Sequence, residues 1–64
     1  MLSSKLKDVR EARGMSQVEL SEVSGISRAT ISAMENGVAR NTTSKTLVAL
    51  ATALATTVDD LFFS

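Results

Sequence analysis

The chain has 64 residues, 44% of them apolar, with no cysteine, no histidine, and seven basic residues against seven acidic ones. Without cysteine or histidine it lacks the usual zinc ligands and the usual general base, so we expect one small domain over residues 1–64, with an aliphatic core and no cofactor. Zero net charge excludes a globally basic nucleic-acid binder, although residues 1–45 carry seven cations against five acids and residues 46–64 carry two acids alone.

The spacing of apolar residues predicts five short helices. In the first two helices the inward-facing residues are Leu2, Leu6, Val9, Leu20 and Val23. Ser16 and Glu19 form the S-x-x-E capping box that starts the second helix. Glycine is favoured just beyond a helix end, and the first three helices are followed by Gly14, Gly25 and Gly37.

The remaining helices begin at hydroxyl side chains suited to N-capping. Ser27 precedes a third helix with Ile31 and Met34 inward, and the polar loop VARNTT follows it. Thr43 precedes a fourth helix, whose apolar stripe consists of Leu47, Leu50, Ala51 and Leu54. Thr57 with Asp60 forms a weaker capping box for a last short helix, VDDLFFS. The sequence therefore predicts an all-α, compact five-helix domain.

Two charged residues lie at the edges of apolar helix faces. Arg10 lies about 40° around the first helix from Leu6, and Glu35 lies about 40° around the third helix from Ile31. A lone buried charge is costly, whereas two opposite charges are tolerated as a pair. We expect an Arg10–Glu35 ion pair; the alternative is that both side chains extend independently to water.

The outward side of the third helix is small and polar. It consists of Arg28, Ala29, Ser32, Ala33 and Asn36. Small residues let a helix approach another surface closely, and the major groove of DNA admits an α-helix. There, an arginine can bind guanine and an alanine can contact a thymine methyl group. An ordinary solvent-exposed helix face explains these residues equally well at this point.

Several further residues are candidates for binding phosphate. The start of the second helix, at Ser16 and Gln17, offers backbone N–H groups and a partial positive charge. Beyond the third helix, polar or basic side chains that could flank a groove are Asn36, Arg40, Asn41 and Lys45. For Arg40 and Lys45 the alternative is ordinary loop solubility.

The segment LKDVREARGMSQVELSEVSGISRATISAMENG resembles the helix-turn-helix family of phage repressors and Cro proteins, the Xre-like regulators, from about Leu6 to Leu61. The resemblance implies a lambda repressor-like fold whose second and third helices form the helix-turn-helix. It places base-contacting positions on Arg28, Ala29, Ser32 and Ala33, and phosphate-contacting positions on Gln17, Asn36 and the loop around Arg40 and Asn41. The sequence departs from the family at Ala55, where glycine is usual.

The resemblance implies a sequence-specific transcription regulator that binds double-stranded DNA in the cytoplasm, and we expect it to act as a repressor. An antitoxin with a protein partner and a restriction-modification controller share this fold. An alternative class of function is a protein-interaction module that has lost DNA binding. No residue set supports catalysis, so an enzyme is not expected. No apolar run is long enough to span a membrane.

A homodimer joined through the last helix is also expected. Leu61 matches a core position of the family, and Phe62 and Phe63 project about 100° and 200° around the helix from it. So small a core should leave at least one phenylalanine exposed at an interface formed by Leu61, Phe62 and Phe63. Such a dimer requires a palindromic operator. The alternative is a monomer that dimerises only on DNA.

Overall fold

The computed structural model describes residues 5–37 and 42–62. Its helices are α1 (Leu6–Ala12), α2 (Gln17–Ser24), α3 (Arg28–Glu35), α4 (Ser44–Ala53) and α5 (Val58–Phe62). The prediction of five helices in an all-α domain is therefore confirmed. Leu2, which was assigned to the first helix, lies outside the described residues. None of the helices described is both long enough and apolar enough to cross a membrane.

The predicted N-caps are present. The hydroxyls of Ser16, Ser27 and Thr43 accept hydrogen bonds from backbone N–H groups at distances of 3.0, 3.2 and 3.2 Å. At Ser16 the capping box is complete, because its own N–H donates to the Glu19 carboxylate at 3.1 Å. These contacts satisfy donors that helix geometry leaves unpaired, so the helix starts are fixed locally by sequence.

Helices α1 and α4 end in the same backbone motif. After α1, the N–H of Met15 donates to the carbonyl of Arg10 at 3.1 Å, across Gly14 at φ 69°. After α4, the N–H of Thr56 donates to the carbonyl of Ala51 at 2.9 Å, across Ala55 at φ 55°. Both are Schellman motifs, but one has glycine at the left-handed position and the other has alanine.

All five helices supply the apolar core, directly or through their end residues. The fully or nearly buried members are Leu6, Leu20, Ile31, Met34, Leu50, Ala51, Leu54, Leu61 and Phe62. Each large side chain contributes roughly 1.5–3 kcal/mol of hydrophobic stabilisation when fully buried. The first and last helices are also tied by the backbone N–H of Lys5, which donates to the carbonyl of Leu61 at 2.8 Å.

The inward side of α2 differs from its prediction at one position. Leu20 is buried, but Val23 is 62% exposed. Around the helix axis, Val23 lies to one side of Leu20, and the half-buried residues Gln17, Ser21 and Ser24 lie to the other. The inward-facing stripe therefore includes Leu20 and extends away from Val23. The prediction for Val23 was wrong because the helices packed against α2 approach its small polar side.

The predicted dimer interface also needs correction. Leu61 is 0% exposed and Phe62 is 3% exposed, so both side chains belong to the core of the single chain. Phe62 belongs to the same buried cluster as Leu50, Leu54 and Leu61. Phe63 lies outside the described residues. An interface that uses the side chains of Leu61 and Phe62 is therefore not available on the surface of this fold.

Candidate nucleic-acid interface

The ion pair expected between α1 and α3 is present. Arg10 Nε donates to Glu35 Oε2 at 2.7 Å, and Arg10 Nη2 donates to Glu35 Oε1 at 3.2 Å. The two side chains are 10% and 3% exposed. A bidentate pair of this kind fixes direction as well as distance. It sets the position of the C-terminal end of α3 relative to α1.

Arg10 has a second function in the turn that leads into α2. Its Nη1 donates to the carbonyl of Met15 at 2.7 Å, immediately before the N-cap Ser16. One guanidinium therefore connects α1, the start of α2 and the end of α3. Within residues 5–37 and 42–62, every buried side-chain nitrogen or oxygen has a hydrogen-bond partner.

The environment of Glu35 favours its charged form. Burial raises the pKa of this carboxyl, but hydrogen bonds from Arg10 and Gln17, with the charges of Arg10 and Lys7, lower it further than burial raises it. The net result is a pKa for Glu35 below its usual value. The hydrogen bond from Arg10 correspondingly raises the pKa of the Arg10 guanidinium. The pair is thus ionised at neutral pH.

The α2–α3 junction is a tight turn. Gly25, the C-cap of α2, has φ 75°, and α3 starts three residues later at Arg28. The N–H of Ile26 donates to Ser24 Oγ at 3.1 Å within this turn. A side chain at φ 75° would be strained, so glycine is suited to this position. The turn holds the two helices in one fixed relative orientation.

An open groove of about 330 Å³ lies on the outer side of this helix pair. It is lined by Gln17 from α2 and by Arg28, Ala29 and Ser32 from α3. Arg28 and Ala29 are exposed, whereas Gln17 and Ser32 are half-buried. The structure therefore brings together one cation, one amide, one hydroxyl and one methyl group, on elements whose positions are fixed by the Arg10–Glu35 pair.

The other predicted contact residues lie around this groove or beyond the described residues. Ala33 is half-buried and is not among the groove-lining side chains. Asn36 is exposed as the C-cap of α3, and Lys45 is exposed in the first turn of α4. Arg40 and Asn41 lie outside the described residues.

The start of α2 has the features expected of an anion-binding end. The capping box takes up the N–H groups of Ser16 and Glu19. The first-turn N–H groups of Gln17 and Val18 have no acceptor within the helix, because an α-helix leaves its first donors unpaired. Gln17 itself lines the groove, so this helix start adjoins it, and a phosphate oxygen could accept from such N–H groups.

One contact of this site was not anticipated from the sequence. Gln17 Nε2 donates to Glu35 Oε1 at 3.0 Å, so the amide of a groove residue is bonded to the buried ion pair. Helical periodicity contained the signal, because Gln17 lies three residues before the buried Leu20 and on the same side of α2. On the sequence alone, Gln17 is predicted to contact phosphate and has no predicted partner within the fold.

Two short helices joined by a fixed tight turn, the second with a small polar outer side, define a helix-turn-helix DNA-binding domain. The family model described as "Helix-turn-helix" (HTH_3) matches residues 6–61 of the chain. The protein belongs to this family of Xre-like helix-turn-helix proteins, which are DNA-binding transcription regulators and generally not enzymes.

Two solved structures have the same fold. The restriction-modification controller protein C.AhdI from Aeromonas hydrophila is 36% identical, with a TM-score of 0.82 over 91% of this chain and 86% of that chain. A chain of the SinR protein/SinI protein complex is 25% identical, with a TM-score of 0.81 over 88% of this chain. This protein spans only 54% of the length of that chain. Among curated protein sequences no significant match is found.

Proposed function

We propose that this protein regulates transcription by placing α3 in the major groove of a specific operator. The observation that carries the proposal is the groove in which Gln17, Arg28, Ala29 and Ser32 meet. Their elements, α2 and α3, are joined by a tight turn, and the buried ion pair fixes α3 against α1, so the side chains are presented on a rigid support. Rigid presentation of a few polar groups is what sequence-specific contact with base edges requires.

Each groove residue has a chemistry suited to a base edge. The guanidinium of Arg28 can donate two hydrogen bonds to O6 and N7 of guanine. Ala29 can contact a thymine methyl group, and the Ser32 hydroxyl can either donate or accept. Ala33, at the side of this set, would add apolar contact. Arg28 is the only cation among these four residues, so we assign it the largest share of base discrimination.

Phosphate contacts flank the base contacts in this proposal. They come from the α2 start at Ser16 and Gln17, from Asn36 at the end of α3 and from Lys45 at the start of α4; Arg40 and Asn41 are proposed on sequence grounds. Contacts to phosphate set register and supply affinity that falls with salt. A chain with zero net charge has to concentrate such contacts locally.

A palindromic operator is proposed to be bound by a homodimer. The described fold has principal extents of 27 × 21 × 19 Å. Adjacent half-sites on one side of DNA are about 34 Å apart, so one copy covers a single half-site and two copies are needed for both. The interface is left to surfaces other than the buried side chains of Leu61 and Phe62. Occupation of a promoter by this dimer would repress transcription in the cytoplasm.

A second candidate is favoured by one comparison. The similarity to C.AhdI, a restriction-modification controller protein, covers most of both chains. A controller of this type would regulate a neighbouring nuclease or methylase gene. An antitoxin remains a further variant, for which a protein partner would be required. A protein-interaction module without DNA binding is disfavoured because the groove retains Arg28 and Gln17 in exposed or half-exposed positions.

Selection of bound sequences from random DNA tests the proposal directly. We expect enrichment of a two-fold symmetric site, and binding that weakens steeply as salt is raised. Sedimentation of the protein with a full site and with an isolated half-site then gives the stoichiometry. Failure to enrich any sequence would contradict the regulator model, whereas enrichment of an asymmetric single half-site would contradict only the dimer.

A further inference from the structure

We propose that Glu35 is a positioning residue for DNA binding, acting through Gln17 without itself touching DNA. The inference rests on the proposed function, because it concerns the affinity of the same groove. Glu35 lies at the end of α3, and its side chain is 3% exposed. Gln17 is the first residue of α2 and lines the groove. The hydrogen bond between them connects the buried ion pair to the DNA-facing surface.

The chemistry of the two groups fixes which way round the Gln17 amide lies. A carboxylate only accepts hydrogen bonds, so the amide nitrogen, and not the amide oxygen, must face Glu35. Glu35 Oε1 accepts from Gln17 Nε2 at 3.0 Å and from Arg10 Nη2 at 3.2 Å. The second N–H and the carbonyl oxygen of the amide then remain for a ligand in the groove.

Positioning of this kind lowers the entropy lost on binding. A free glutamine side chain loses much rotamer freedom when it is ordered against a ligand. Gln17 is already held by a charged acceptor, and hydrogen bonds to charged groups are stronger than neutral ones. Its remaining N–H is therefore available to a phosphate oxygen with little further ordering, which increases affinity.

The test separates positioning from stability by replacing the whole ion pair. Exchange of a buried pair for apolar residues of similar size is often neutral or stabilising, whereas removal of one partner is not. The double substitution Arg10→Met with Glu35→Leu should therefore keep the fold while removing the acceptor for Gln17. Thermal melting shows whether the fold is kept. We expect affinity for the selected operator to fall roughly threefold to tenfold, the range of one hydrogen-bonding side chain.

A double-mutant cycle then identifies the route. Gln17→Ala alone should lower affinity by a similar factor. Adding the Arg10→Met and Glu35→Leu changes to Gln17→Ala should have no further effect, because the ion pair acts through Gln17. Independent, multiplying effects would overturn the inference. They would show that the ion pair affects binding by another route, such as the Arg10 bond to the Met15 carbonyl.

Arg13 provides the matched control. Its Nε donates to the carbonyl of Leu54 at 2.9 Å, a long-range arginine contact between the end of α1 and the end of α4 that involves neither Gln17 nor Glu35. Arg13→Met should leave operator affinity unchanged. An equal loss of affinity in Arg13→Met would mean that any lost arginine contact weakens binding, which would overturn the positioning role.

A second measurement keeps the inference testable if the double substitution does not fold. In Glu35→Gln the charged acceptor is neutral, so the side-chain amide resonances of Gln17 should move in the NMR spectrum of the protein without DNA. Unchanged resonances would overturn the inference. Absence of operator binding by the wild type is a different failure, because it overturns the proposed function itself.

Discussion

The helix-turn-helix pair and the C-terminal pair of helices are held in the fold by different means. Over sixteen residues, α2 and α3 bury only Leu20, Ile31 and Met34. Over the same number of residues, α4, its C-cap Leu54 and α5 bury Leu50, Ala51, Leu54, Leu61 and Phe62. The first pair adds a buried polar network around Glu35, which receives hydrogen bonds from Arg10 and Gln17.

The difference follows from what each region presents to its surroundings. A helix with a polar, small outer side, proposed here to contact DNA, has only a narrow stripe left for apolar packing. Apolar packing is non-directional, whereas a bidentate ion pair specifies direction and distance. The polar network therefore defines the orientation of α3, while the apolar C-terminal half supplies most of the hydrophobic stabilisation.

The largest expected effect comes from removal of one partner of the ion pair. Glu35→Ala leaves the Arg10 guanidinium buried without its acceptor, which costs about 3–5 kcal/mol of unfolding free energy. Thermal and urea unfolding measure this cost. Leu50→Ala, in the apolar half, should cost a comparable amount of about 2–5 kcal/mol by leaving a cavity. A cost below about 1 kcal/mol for Glu35→Ala would mean that apolar contacts alone hold α3.

Acid should weaken the same region without any mutation. The pKa of Glu35 is lowered in the folded state, so the ionised carboxylate stabilises the fold. This stabilisation is fully present above the pKa of the unfolded chain, about 4.3, and is lost as pH falls through the lower pKa of the folded state. The loss should be smaller than in Glu35→Ala, since a protonated carboxyl still fills the space and accepts one bond. Urea unfolding across this acid range measures it. The Arg10→Met and Glu35→Leu variant should lack this part of the acid dependence; an identical profile would contradict the assignment to Glu35.

Arg28→Ala should separate binding from stability. Arg28 is exposed on the outer side of α3, so its removal should leave the melting temperature nearly unchanged. Discrimination between the operator and a variant with a substituted guanine should fall by about 1–3 kcal/mol. Titration of both sites at one salt concentration measures this. Unchanged discrimination would show that α3 does not contact that base through Arg28.

Local signals in the sequence predicted the helices well. The Ser16 capping box, the Ser27 and Thr43 caps and the glycine after each of the first three helices depend on neighbouring residues only, and all are present. The Arg10–Glu35 pair was also predictable, because both charges lie beside apolar stripes and each needs a partner.

Tertiary packing decided the positions that were predicted wrongly. Val23 and Phe62 are both large and apolar, yet one is 62% exposed and the other 3%. Periodicity places a side chain on a helix face, but the angle at which neighbouring helices pack determines which part of that face is covered. The Gln17–Glu35 bond depends on the same packing angle, since it joins residues eighteen positions apart.

The smallest expected effect is a gain in stability at the end of α4. Ala55 occupies the left-handed position of a Schellman motif at φ 55°. A residue with a side chain in this left-handed conformation destabilises the folded state by roughly 1–2 kcal/mol. Glycine avoids this strain, but its greater conformational freedom stabilises the unfolded chain by about 0.4–1 kcal/mol. Ala55→Gly should therefore raise the unfolding free energy by up to about 1.6 kcal/mol, with the melting temperature rising by about 4–8 °C for each kcal/mol gained.

The same motif after α1 supplies the opposite experiment. Gly14 has φ 69°, and a Cβ added there would meet no atom within 4 Å, so Gly14→Ala tests backbone conformation without a steric clash. It should lower stability by about as much as Ala55→Gly raises it. The double variant then measures how independent the two motifs are, because their neighbours Arg13 and Leu54 are joined by a hydrogen bond of 2.9 Å. Operator affinity should not change in Ala55→Gly, since Ala55 does not line the groove. A stability loss in Ala55→Gly would show that the Ala55 methyl group contributes more than its strained backbone costs.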